Sequence, residues 1–241
     1  MLYLSVIVLI PLAAVVVKAV SSGAGTLWSS IDNTLTLRAL AITLGASLLV
    51  AAIGAVMGTL VAWVLVRDHF PGQRLVNALI DLPFALPTIV AGLTLIALYG
   101  PGSPVGIDLA YTRGAVIVAL MFVTLPFVVR SVQPVLIELD SEVEEAAASL
   151  GASNATTFRR IILPALRPAI FSGGALAFAR SVGEFGSLAL IAGKVQIASI
   201  VIYADIESGS EQSAAALSVV LMVISLIMLF LIRRLGGQVD R

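Results

Sequence analysis

A chain of 241 residues that is 59% hydrophobic and only 12% charged is not an ordinary soluble domain, in which about a quarter of residues carry charge. Its 14 basic and 14 acidic residues cancel, which argues against a polyanion-binding protein held by bulk charge. There is no cysteine and a single histidine, His69, so disulfides, thiolate metal sites and histidine clusters are excluded.

A helix needs about 17–25 apolar residues to cross a hydrocarbon core of about 30 Å. Runs of that kind occupy residues 2–20, 35–66, 79–99, 114–133, 169–191 and 212–232. They predict an all-α polytopic membrane protein with six transmembrane helices, forming a single transmembrane domain over 1–241. The first run, beginning "MLYLSVIV", has no basic residues ahead of it and reads as a retained span. The small residues of "KAVSS" at its end are the one feature that would suit a cleaved signal. The second run exceeds what a bilayer requires, which implies tilt or an extension into water. The third opens in "DLPFALPT", where Pro83 and Pro87 either merely break its start or free backbone groups at a cavity edge; a plain break is the favoured reading. The fourth contains Pro126, which is expected to kink it.

Orientation follows from the basic residues. Placing both termini in the cytoplasm puts nine of them on the inner side, including Arg67, Arg74, Arg130 and Arg241. Lys18, Arg38, Arg113 and Lys194 fall outside, and Arg180 lies within a span. The predicted location is a cell membrane, plasma or bacterial inner.

Between the fourth and fifth spans the inner loop, 138–168, collects Glu138, Asp140, Glu142, Glu144 and Glu145, then "AAASLGASNATTFRRIILP". Ala, Leu and Glu favour helix, Gly151 tolerates the left-handed backbone of a stop, and Ser153 or Asn154 can cap a second short helix that Pro164 should end. Helix, glycine turn, helix is the expectation. A solvated loop would also gather charge, so composition alone leaves its role open.

In the fifth span, Arg180 lies near mid-membrane with Glu184 one helical turn later. An ionised group at that depth costs about 2.5–3.5 kcal/mol on insertion scales. The pair either fixes helix packing, the favoured reading, or places Arg180 on an anion path with Glu184 limiting how tightly the anion is held. No span or loop carries a metal-ligand spacing, a catalytic triad or a phosphate-binding G-x-x-x-x-G-K-[ST] sequence. An enzyme is not expected.

The inner loop also has a specific spacing. Glu145, Ala146 and Ala147 are followed by Gly151, then Ile161, Leu163 and Pro164, matching the E-A-A-x3-G-x9-I-x-L-P motif of ATP-binding-cassette (ABC) importer permeases at every specified position. The segments Val66–Gly100, Leu125–Leu136 and "FARSVGEFGSLALIAG" resemble the T-type permeases of sulfate/thiosulfate importers, and the resemblance extends from about Ser5 to Arg233. Molybdate permeases share the loop and a similar "GEFG" segment and are the alternative. A self-sufficient secondary anion transporter is a more distant one, with Arg180 and Glu184 as its only coupling candidates.

The resemblance implies a type I permease fold and a non-catalytic subunit without a cofactor of its own. It further implies an ATPase dimer that binds ATP and Mg, a second related permease and an extracytoplasmic sulfate-binding protein. The motif residues would then form an ATPase-coupling surface, and Arg180, Glu184, Pro83 and Pro87 a candidate translocation path.

Overall fold

The computed structural model describes residues 3, 5–21, 23–139 and 141–235, so Ser22, Asp140 and Arg241 lie outside the described residues. All regular structure among them is helical. A π-helical turn, Ser5–Leu9, leads into α1 (Ile10–Val20), followed by α2 (Ala24–Ile31), α3 (Thr34–Arg67), α4 (Gln73–Ala85), α5 (Thr88–Tyr99) and α6 (Arg113–Glu138). Next come α7 (Ser141–Ser149), α8 (Asn154–Thr157), a π turn at Phe158–Ile162, α9 (Leu163–Val182), α10 (Gly186–Ile191), α11 (Ala198–Glu207) and α12 (Glu211–Leu235).

Four helical stretches among the described residues are long and apolar enough to cross a membrane: Thr34–Arg67, Arg113–Glu138, Asn154–Val182 and Glu211–Arg234. The first run gives a shorter apolar helix, Ser5–Val20. The third is not one straight span, because α4 and α5 meet at 118°. The break falls at Leu86–Pro87, whereas Pro83 sits buried inside α4. Thus Pro87 alone acts as the expected breaker: it caps α5 and fixes an extended backbone there, while the helix through Pro83 loses only one internal bond. Similarly, α6 passes through Pro126 and Pro134 as one helix.

The expected fifth span is displaced. Its helix begins at Asn154 and ends at Val182, and Gly183, Glu184 and Phe185 separate it from α10. The reason is local: the Glu184 side chain caps the next helix, which forces the chain out of α9 ahead of it.

Helices α3, α6 and α9 form the central packing unit. Val128 of α6 is its tightest point. A Cβ on Gly58 of α3 would stand 2.8 Å from the Val128 side chain, and one on Gly173 of α9 would stand 2.8 Å from the Val128 Cα. Only glycines allow three backbones to approach so closely. Two apolar clusters lie along this axis, one around Val50, Val116, Leu120 and Ile191, the other around Leu65, Val132, Leu136 and Leu166.

Candidate functional site

The loop between α6 and α9 runs helix, glycine turn, helix, but its second arm is not the separate short helix expected. Glu142 and Glu144 occupy the first turn of α7, where the helix dipole favours carboxylates. Gly151 closes the helix at φ 82°, with the Ala152 N–H donating to the Ala147 carbonyl at 3.0 Å and the Gly151 N–H to Ala148 at 2.9 Å. This closure satisfies carbonyls that a helix end leaves free. Ser153 then caps α8, its Oγ accepting from the Thr156 N–H at 3.3 Å.

Pro164, in contrast, does not end the second helix. The wider π turn at Phe158–Ile162 precedes it, and Pro164 enters where that turn passes into α9, so the helix continues through it. The second arm is therefore continuous with a membrane-crossing helix, and Arg159 and Arg160 lie within that stretch rather than late in a short helix.

The motif residues divide between two surroundings. Glu145, Ala146, Gly151 and Pro164 are exposed, Ile161 and Leu163 are half-buried, and Ala147 packs inward. Leu150, just before the turn glycine, is 89% exposed and forms an apolar knob at the tip. Its sequence signal was a large aliphatic residue beside a mandatory turn.

This segment is tied to the bundle by Arg67, the last residue of α3. Its Nη2 donates to Glu144 Oε1 at 2.5 Å and to the Leu139 carbonyl at 3.2 Å, and its guanidinium lies 5.9 Å from the centre of the Trp63 ring. Trp63 in turn meets Phe158 edge-on at 5.8 Å. A cavity of about 220 Å³ lies between these rings, Glu144 and Ala148. The ion pair thus joins α7 to the end of α3, and the aromatic contact joins α3 to the π turn ahead of α9. Arg67 and Glu144 lie far apart in the chain, so their pairing has no signature in local spacing.

Farther along the membrane axis, two helix breaks lie side by side. Thr88 at the start of α5 faces Gly186 at the start of α10, and a Cβ on Gly92 would be only 2.6 Å from the Ser187 carbonyl oxygen. The structure places Arg180 in the last turn of α9 and Glu184 just beyond that helix, not on its continuing face as expected. They still meet, Nη1 to Oε2 at 2.7 Å. Glu184 Oε1 also accepts from the Ser187 N–H at 2.8 Å and the Ser187 hydroxyl at 2.9 Å. With its side chain 1% exposed, Glu184 is a buried carboxylate whose two oxygens are both occupied, while Arg180 keeps 32% of its side chain accessible. Pro87 belongs to this junction through Thr88; Pro83 lies within α4 and contributes no break.

Sequence reasoning assigned Arg130 only a charge. In the structure it clamps α4 to α6: Nε and Nη2 each donate to an Asp81 carboxylate oxygen at 2.6 Å, and Nη2 also reaches the Asn77 carbonyl at 2.9 Å. A two-pronged arginine–carboxylate pair fixes orientation as well as proximity.

This architecture is a membrane-spanning helical permease core with a solvent-facing helix-turn-helix attached to its ends. Residues 54–241 match the family described as binding-protein-dependent transport system inner membrane component, and the chain belongs to that family. It is a non-catalytic membrane permease subunit. It is 43% identical to the sulfate transport system permease protein CysT of Synechococcus elongatus, with 99% of this chain and 90% of the relative aligned. It is 40% identical to the protein of that name from Salmonella typhimurium, covering 100% of this chain and 91% of that one. Among solved structures, a bacterial ABC transporter involved in import of the acidic polysaccharide alginate superposes with a TM-score of 0.81 at 16% identity, covering 100% of this chain and 93% of that chain. The MetNI methionine ABC transporter superposes with a TM-score of 0.63 at 23% identity, over 89% and 95% of the two chains. These two likenesses concern the fold.

Proposed function

We propose that this chain is the permease subunit of an ATP-driven importer of sulfate and thiosulfate, seated in the bacterial inner or plasma membrane with both termini in the cytoplasm. It works as one domain over 1–241, within which 138–168 is the coupling loop. The observation that carries this reading is the exposed turn at Glu145–Gly151, tied back to a membrane-crossing helix by Arg67 and Glu144. Sulfate is taken from the names of the relatives above, and thiosulfate from the resemblance carried by Val66–Gly100 and Leu125–Leu136.

In this reading Glu145, Ala146 and Leu150 dock into a groove of an ATPase partner, Gly151 sets the turn, Ala147 packs α7 inward, Ile161 and Leu163 hold the second arm against the bundle, and Pro164 lies on its exposed side. ATP and Mg are held by the ATPase pair. A second, related permease completes the path, and an extracytoplasmic sulfate-binding protein delivers the anion. Pro87 and the Arg180–Glu184 pair shape the path at the helix breaks, with Arg180–Glu184 serving as a structural brace. The contacts of Glu184 support that role, because the bonds it accepts from Arg180 and Ser187 tie the end of α9 to the start of α10.

The test is uptake of radiolabelled sulfate by the reconstituted assembly, with thiosulfate and molybdate as competitors. Competition by thiosulfate at concentrations near those of sulfate supports the assignment. Preferential inhibition by trace molybdate would replace it with the molybdate reading.

A further inference from the structure

At the end of the bundle away from the Glu138–Pro168 loop, three cations converge without an acid. Arg38 in α3, Arg113 at the first position of α6 and Lys194 in the loop after α10 line one cavity of about 760 Å³, together with Ala41, Ile42 and Tyr111. No described carboxylate forms an ion pair with any of the three. Their placement also runs against local preference. Both α3 and α6 begin here, and a helix N-terminus disfavours a cation. A fixed loop adds to this. The Tyr111 N–H donates to the Ile191 carbonyl at 2.9 Å, Tyr111 takes φ 65°, and Gly193 at φ 58° is pressed against it so closely that a Cβ would stand 2.7 Å from the Tyr111 Cβ. Lys194 is thereby held beside the Arg113 corner.

The depth of this mouth can be set from α3. About 44 Å of helix separates Arg38 from Arg67 at about 1.5 Å per residue. A bilayer with its headgroups is about 40–45 Å thick. Aligned with the membrane normal, α3 would set Arg38 and Arg67 at about opposite headgroup levels. Below the mouth, a second cavity of about 400 Å³ shares Ala41, Ile42 and Arg113 and continues between α3 and α6 along Gly45, Leu49 and Ile117. Every residue this groove adds is apolar. It is open beside Gly45, where an added Cβ meets nothing within 4 Å.

We propose that this compound cavity binds an anionic phospholipid of the leaflet facing away from the Glu138–Pro168 loop. The phosphate is held by Arg38, Arg113 and Lys194, and an acyl chain lies in the groove past Gly45. A free oxyanion or an acidic protein segment would use the cationic mouth and leave the apolar groove without purpose; only an amphiphile fills both halves. Bound there, the lipid straps α3, α6 and the Lys194 loop together.

The test uses the complete transporter assembly in nanodiscs of equal parts phosphatidylglycerol and phosphatidylcholine, with retained lipid counted by native mass spectrometry. Two variants probe the two halves: R38Q/R113Q/K194Q for the mouth and G45L for the groove, each checked for intact assembly by size-exclusion chromatography. Both should lower retained phosphatidylglycerol at least fivefold and leave phosphatidylcholine unaffected. Loss in the triple variant with full retention in G45L would show that only a charge is recognised, and would overturn the proposal. Displacement of the lipid by millimolar inorganic sulfate would do the same, by assigning the mouth to a free oxyanion. Unchanged lipid with separation of the two permeases would make this face a protein interface, also against it.

Discussion

Replacing Arg67 by Gln should loosen α7 from the end of α3 without unfolding the bundle. Arg67 and Glu144 meet at 2.5 Å with side chains 22% and 27% exposed, so the pair is mostly but not wholly shielded. A hydrogen bond to a charged group contributes about 1.5–3 kcal/mol net, and partial exposure places this one near the lower end, about 1.5 kcal/mol. That is about a tenfold change in the ratio of attached to detached α7. Hydrogen exchange of the amides of α7 should quicken about tenfold in Arg67→Gln and in Glu144→Gln, while the amides of α6 near Val128 keep their protection. In the double variant the effects should not add, leaving a coupling energy of about 1 kcal/mol or more, because either change alone already removes the bond. In the reconstituted importer, each single variant should lower anion uptake per ATP hydrolysed. Additive effects within about 0.3–0.5 kcal/mol, or unchanged exchange of α7, would refute the idea that this ion pair carries motion into α3.

Further outcomes follow from neighbouring geometry. Gly151→Val places a branched side chain at φ 82°, a conformation costing L-residues about 1–2 kcal/mol, and should reduce co-purification of the ATPase; unchanged association and transport would count against the turn. Leu150→Glu should weaken ATPase association about tenfold or more, the value of burying an aliphatic side chain, yet leave the thermal midpoint of the permease unaltered because Leu150 is 89% exposed. Arg180→Ala strands the buried Glu184 carboxylate and should cost about 3–5 kcal/mol in stability, seen as a lowered yield of folded protein. Converting both residues to neutral partners, R180M/E184Q, should recover folding and uptake together. Recovery of folding without uptake would instead make Arg180 a contact for the anion.

The parts of this molecule that were legible in the sequence are those fixed by local chemistry. The turn at Gly151 needs a left-handed backbone, so a glycine between an alanine-rich helix and a Ser153 cap marks it unambiguously. The apolar runs located α3, α6 and α12 closely because length and hydropathy alone determine whether a helix can cross. What stayed hidden depends on side-chain contacts, local or distant in the chain, that hydropathy does not register. The run over 169–191 reads as one span, but Glu184 turns to cap Ser187 and pair with Arg180, which stops α9 and restarts the chain against α5. Hydropathy is blind to that event, because the flanking residues remain apolar on both sides. Pro83 and Pro87 look equivalent on paper, yet only Pro87 caps a helix whose direction changes. Arg130 and Arg67 read as inner-side charge, whereas each bridges elements that no periodicity connects. The exposed Leu150 was the opposite case: visible in the sequence, but meaningful only once the turn beside it was seen to project it outward.

The most direct test of the account is sulfate accumulation in proteoliposomes carrying the permease pair, the ATPase pair and the binding protein, with ATP and Mg enclosed with the ATPases or withheld. Accumulation that requires ATP hydrolysis, and that Leu150→Glu abolishes while the permease stays folded, is the predicted result. Accumulation that persists without the ATPase and collapses with a protonophore would contradict it.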